Sequence, residues 1–120
     1  MEARALKKSI RMSPRKMRLV IDLIRGKKAI EAITLLHFHP KYAAHEAEMV
    51  LRSAIANLNQ KADAVGMRIK DDEIVIKKAT VDGASIMYRR KPADRGKVFR
   101  IRKRSNHLTI VVGTDNKEEI

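Results

Sequence analysis

An α+β fold is predicted for this chain, with a charged β-hairpin standing away from a small body. Three observations predict it. Apolar residues recur at helical spacing through the first half, from Met17 to Leu58. From Glu73 the period changes to two, and strand patterns run over 73–88 and 97–112. Between Ile86 and Arg104, nine bases (Arg89, Arg90, Lys91, Arg95, Lys97, Arg100, Arg102, Lys103 and Arg104) face one acid, Asp94, in nineteen positions, with Pro92 and Gly96 at turn spacing.

Residues 3–10 read as a short strand or extended arm. Ser13-Pro14 is then a strong helix start, because a serine side chain can cap free backbone N–H groups and a proline at the first helical position gives up no hydrogen bond. Met17, Val20, Ile21 and Ile24 follow as one apolar stripe, and Gly26 is expected to end the helix. A second helix is predicted over 28–37 with Ile30, Ile33 and Leu35 or Leu36 inward. His39-Pro40 punctuates it. A third and longer helix, 41–61, carries the stripe Ala43, Ala47, Val50, Leu51, Ala54, Ile55 and Leu58. Its small residues at 43, 44, 47, 54 and 56 invite close approach of another element. Residues 62–72 read as a polar loop or the start of a short strand, with Asp71, Asp72 and Glu73 a solvated turn.

In the second half, Ile74, Ile76, Ala79 and Val81 are expected to face inward, and so are Leu108, Ile110 and Val112. If 73–88 and 97–112 pair antiparallel, their ends at 74–82 and 106–112 can sit on the helices, while the charged ends cannot. Ten or so residues beyond the body, at about 3.3 Å each, make an arm on the order of 30 Å. A lone two-stranded ribbon is marginal in water, so such an arm is expected to be mobile until a partner holds it. The whole reads as one domain over 1–120, with the protruding hairpin at about 82–105 and a frayed acidic tail at about 113–120.

The chain has 120 residues, with 27 Lys+Arg against 14 Asp+Glu and a net charge of +13. An excess of this size speaks about partners, and the foremost is a phosphate backbone, whose condensed counterions each bound base releases. A membrane partner is not expected, since no apolar run approaches the roughly 20 residues needed to span a bilayer. Without cysteine there is neither a disulfide framework nor a thiolate metal site. The N-terminus lacks the layout of a signal peptide, and a cytoplasmic chain is expected. Aromatics make up 3% of the residues, too few for a base-stacking platform.

No phosphate-binding glycine loop, dinucleotide fingerprint or nucleophile elbow is present, and no enzyme is expected. His37, His39 and His45 straddle a proline-broken junction without carboxylate or thiol at ligand spacing, so neither metal nor other cofactor is expected. The basic run is different. A face that needs only solubility mixes its signs, and like charges on adjacent strands repel. Six arginines against three lysines favour bidentate phosphate contact. Arg11, Arg15, Lys16 and Arg18 crowd the start of the first helix, where the macrodipole disfavours cations and an outside anion would compensate them. The shape suits a structured RNA with deep pockets better than a DNA groove. The rival reading is a free-standing nucleic-acid chaperone or nucleoid-type DNA binder.

Three stretches carry a resemblance. They are Ser13–Val20 continued by Asp22–Lys28, then Leu51–Asn57, then Lys103–Val112. In this order, with a basic hairpin between the second and third, the chain resembles the ribosomal protein twenty-two family of the large subunit. The resemblance implies three helices packed on a three-stranded antiparallel sheet, two of whose strands extend into a long hairpin. It implies a structural protein that binds large-subunit ribosomal RNA early in assembly and bridges several of its domains. The hairpin is implied to line the peptide exit tunnel near other large-subunit proteins, touching the nascent polypeptide transiently. Ribosomal RNA contacts then fall on Arg11, Ser13, Arg15, Lys16, Arg18, Arg25, Lys27 and Lys28, on the nine bases of the arm, and on His107. The tunnel-facing tip falls on Met87–Val98, in particular Met87, Tyr88, Arg89, Pro92, Gly96, Lys97 and Val98. Several positions depart from the family pattern. Tyr88 stands where a base is usual, Asp94 falls in a turn that is usually basic, Val98 replaces an alanine, and Gly83-Ala84 replaces Gly-Pro.

Overall fold

The computed structural model describes residues 1–92 and 94–114, with the backbone alone for Asp94. Ala93 of the expected turn and residues 115–120 of the expected tail lie outside the described residues. The elements are β1 (Glu2–Ile10), α1 (Pro14–Ile21), α2 (Ala29–His37), α3 (Tyr42–Ala64), a 3-10 turn (Asp71–Glu73), β2 (Ile74–Gly83), β3 (Met87–Pro92), a tight turn (Asp94–Gly96), β4 (Val98–Lys103) and β5 (Asn106–Thr114). The body is a three-stranded antiparallel sheet of order β1-β5-β2 with the helices on it, and β3 pairs with β4 in a separate ribbon. This is the expected α+β architecture, and the molecule extends 68 Å along its long axis against 26 and 20 Å across.

The N-terminal end of α1 forms as its sequence dictates. Ser13 Oγ accepts from Lys16 N at 3.3 Å, and Pro14 opens the helix. Its end differs from expectation. After Ile21 the chain tightens into turns closed by Leu23 N to Val20 O and Ile24 N to Ile21 O, and Gly26 at φ +75° finishes them. The tightening still buries Ile24. In α2 the inward face is Ala29, Ala32 and Leu36, whereas Ile30 is 47% exposed. The short Ala29 and Ala32 let α2 lie close on the body, and that choice rotates Ile30 outward. The expected stripe of α3 is buried except for a half-buried Ile55, and Ala56 faces solvent. The helix continues to Ala64, past the expected end, because Ala62 adds one more buried turn.

One core joins Met17, Ile21, Leu51, Leu58, Ile76, Leu108 and Ile110, all fully buried. Each such side chain contributes roughly 1.5–3 kcal/mol by leaving water. Ile76 and Ala79 both face this core although an odd number of steps separates them. A bulge between Ile76 and Lys78 supplies the extra residue and restores the inward parity for Val81. The two edge strands are stoppered by side chains. Arg18 Nη2 donates to Val81 O and Arg25 Nε to Ala79 O, both at 2.9 Å, along the outer edge of β2. Asn57 Nδ2 and Lys61 Nζ donate to Arg4 O and Glu2 O along β1. Backbone carbonyls that could recruit another strand are thereby occupied.

β5 runs through Thr114, so fraying does not begin at 113 as expected. Gly113 lies inside the sheet, where a Cβ would stand 2.9 Å from Met1 O. The expected continuous strands 73–88 and 97–112 are each broken where the body ends. Three residues, 84–86, on one side face two, 104–105, on the other, and Ala84 N donates to Ser105 O at 3.0 Å in the gap. An extra residue on one strand bends and twists a ribbon. The arm therefore leaves the body as a separate unit.

Candidate nucleic-acid interface

β3 and β4 pair in the register Met87↔Lys103, Tyr88↔Arg102, Arg89↔Ile101, Arg90↔Arg100, Lys91↔Phe99 and Pro92↔Val98. Paired residues share a face, so the ribbon has two different sides. On one, each apolar residue (Met87, Ile101, Phe99) sits opposite a base (Lys103, Arg89, Lys91). On the other, Arg90, Arg100 and Arg102 gather with Tyr88 as their aromatic neighbour. Every one of these residues is exposed except the half-buried Ile101. Arg90 and Arg100 stand directly opposite, a like-charge pair that costs stability. Arg100 offsets part of that cost by lying over the Tyr88 ring, 5.3 Å from its centre, worth about 0.5–1 kcal/mol at an exposed site.

The turn that joins the strands holds two successive left-handed residues, Arg95 at φ 64° and Gly96 at φ 73°. Glycine adopts this region freely, while arginine there is strained. The geometry corrects one expectation about the tip. Pro92, Gly96, Lys97 and Val98 lie at or beside the turn, but Met87, Tyr88 and Arg89 lie at the root of the arm. The strand break at 84–86 is the reason, because the ribbon begins only at Met87. Six-residue strands give about 20 Å of paired ribbon, and with 84–86 below it about ten residues separate the body from the turn, as expected.

At that root the ribbon meets the loop between β1 and α1. A cleft of about 470 Å³ is lined by Arg11, Met12, Ser13, Lys16, Met87, Arg89, Arg102, Lys103, Arg104 and Ser105. Six of the ten are bases and none is an acid. Asn106, with 0% exposure, holds the loop in place by donating from Nδ2 to Met12 O at 2.9 Å. Sequence reading assigned no site role to Met12, Ser105 or Asn106. An asparagine between the basic run and the alternating pattern from Leu108 is the signal that could have pointed to the last of them.

Elsewhere the expected RNA contacts divide. Arg15, Lys27 and Lys28 are exposed on the body. Arg18 and Arg25 spend guanidinium donors on the edge of β2, and Arg25 also pairs with Asp22. Arg25 further lines a groove of about 320 Å³ with Lys77 and Lys78, two bases of the bulge that sequence reading left out. His107 Nδ1 accepts from Ser9 N at 3.0 Å, serving the irregular stretch of β1 where Ser9 has φ 56°.

Two acids of α3 are tied into the body. Glu46 is buried and accepts from Lys7 Nζ and from the Tyr42 hydroxyl. Hydrogen bonds from Lys7 and then Tyr42 hold its carboxyl below the usual range, and the bond to Glu46 in turn raises the Tyr42 hydroxyl. Glu48 is lowered chiefly by its hydrogen bonds from Arg52, with His37 adding to them. His39 Nδ1 accepts from Lys41 N at 3.3 Å. No three metal-ligating side chains gather among the described residues.

No helix of the described residues is long and apolar enough to cross a membrane. Residues 5–113 match the family described as Ribosomal protein L22p/L17e. The chain is similar to the large ribosomal subunit protein uL22 of Bifidobacterium longum (strain DJO10A), at 44% identity over 118 residues, 98% of either chain. It is similar also to the uL22 proteins of Christiangramia forsetii, at 44% over 89% of this chain and 78% of the relative, and of Bacteroides fragilis, at 46% over 89% and 76%.

Proposed function

The chain belongs to the ribosomal protein L22p/L17e family and is a structural, non-enzymatic constituent of the large ribosomal subunit, and from that premise we propose that it binds large-subunit ribosomal RNA and bridges several RNA domains during assembly. The arm lines the peptide exit tunnel with its turn, near other large-subunit proteins and in passing contact with the nascent polypeptide. The protein works in the cytoplasm as a single unit over 1–120. One observation supports the reading above the rest: the nine bases of the arm are all exposed, and none of them has an acid as an ion-pair partner among the described residues.

Mechanism follows from electrostatics. RNA helices repel one another, and bases set between them neutralise both sides while releasing counterions. Arg90, Arg100 and Arg102 form the phosphate side of the ribbon. The opposite side alternates bases with Met87, Ile101 and Phe99, giving apolar surface for bases and sugars. Arg95, Lys97 and Val98 at the turn face the tunnel, while Met87–Arg89 anchor at the root. On the body, Arg11, Arg15, Lys16, Lys27 and Lys28 supply further phosphate contacts.

The test is binding to transcribed large-subunit RNA over a series of salt concentrations. The slope of log K against log salt should be steep, about 0.7–0.9 per phosphate neutralised. A flat response from low to moderate salt removes the electrostatic mechanism. Retention on the large subunit through a high-salt wash separates this protein from a loosely bound DNA-type binder, which leaves.

A further inference from the structure

The cleft at the root of the arm joins two parts of the protein that otherwise scarcely touch. β3 and β4 pack on each other and contribute little contact with any helix. The link is two short stretches, 84–86 and 104–105, closed by the Ala84 N to Ser105 O bond. Arg11 and Lys16 approach the cleft from the body, and Arg89, Arg102, Lys103 and Arg104 from the arm. The body side is rigid, since Lys16 sits on a capped helix and the loop before it is held by Asn106.

Six cations around one cleft, with no carboxylate among its lining residues, repel each other and push the arm from the body. An anion between them reverses the sign of that interaction. The Ser13 and Ser105 hydroxyls add donors for oxygen acceptors. Met12 and Met87 give an apolar floor on which a sugar or base can rest. A volume of about 470 Å³ accommodates a nucleotide unit rather than a lone ion.

We propose that this cleft is a phosphodiester clamp: an RNA backbone segment held at once by Arg11 and Lys16 of the body and by the root of the arm fixes the arm's angle. The proposal rests on the RNA-binding reading above and adds a discrete site and a conformational consequence. A ligand orders two parts only if its contacts exist together at one relative angle, and contacts divided across a hinge meet that condition.

The chain has no cysteine, so a pair of spin labels can be placed without background. Glu31→Cys on α2 and Val98→Cys on β4 report the body-to-arm distance in the full chain. Alone, the protein should give a broad distance distribution; saturated with transcribed large-subunit RNA, a narrow one. Arg11→Ser with Lys16→Ser removes the body half of the clamp. This double variant should lose about two units of the salt slope and keep a broad distribution even at saturating RNA. Arg90→Ser with Arg100→Ser, outside the cleft, should lose a similar slope yet still narrow. If the Arg11/Lys16 variant narrows as the parent does, the clamp is wrong and RNA binding stands. A parent that binds no RNA overturns both.

Discussion

The body and the arm solve opposite problems with the same chain. In the body, side chains such as Leu51 and Leu108 are fully buried, sheet edges are occupied, and Glu46 and Glu48 are paired. In the arm, Ile101 alone is half-buried, like charges face each other at Arg90 and Arg100, and the described contacts run between its own two strands. The difference shows where each part's stability comes from. The body draws on water leaving apolar surface, and the arm has no comparable source within the described residues, which is why a polyanion partner is proposed for it.

The largest expected effect sharpens this contrast directly. Leu51→Ala should lower the unfolding free energy by about 2–5 kcal/mol in a denaturant titration. Phe99→Ala, on a side chain 60% exposed, should change it by no more than about 0.5 kcal/mol. A comparable loss at both sites would show that the arm is part of the cooperative core.

Asn106→Ala tests the boundary between the two regions. It removes the bond to Met12 O and leaves that carbonyl without its donor, at a cost of about 1–3 kcal/mol. The same variant should loosen the cleft and weaken RNA binding, although Asn106 itself touches no RNA in this reading. Amide exchange gives a third check. Amides of β3 and β4 should exchange fast in the free protein and slowly in the subunit, whereas β5 is protected in both. Equal protection of the ribbon in both states would mean that it supports itself.

The smallest effect concerns acid. The folded value of Glu46 lies below its ordinary 4.5, so the unfolded chain takes up that proton first as pH falls. Its contribution is complete above the ordinary value and is lost as pH descends through the folded one. Glu46→Gln should therefore flatten the decline of stability below about pH 5 while the arm's salt-dependent binding at neutral pH stays as it was. An unchanged acid limb would place the sensitivity elsewhere, with Glu48 the next carboxylate to test.

Much of the fold was legible because it is written locally. Ser13-Pro14 caps and opens a helix through its own backbone, the stripe of α3 repeats every turn, and the nine bases announce the arm without any long-range information. Legibility failed where distant segments choose each other. Ile30 reads as inward by period, yet packing of Ala29 and Ala32 turned it out. The odd step from Ile76 to Ala79 was present in the sequence, but only pairing with β5 makes it a bulge.

The candidate site divides in the same way. Charge and strand pattern identified which residues could meet RNA, because neither depends on neighbours in space. That Met87–Arg89 sit at the root of the arm, that Arg18 and Arg25 stopper an edge strand, and that His107 serves the β1 irregularity follow from registers between strands far apart in sequence. The cleft is the clearest case. Residues 11–16 and 102–105 come together because Asn106 sits beside Ile10 in the sheet and three residues oppose two at the base of the arm. A sequence carries the charges of such a site; only the register of the sheet, set by burying one face of β5, decides that they converge.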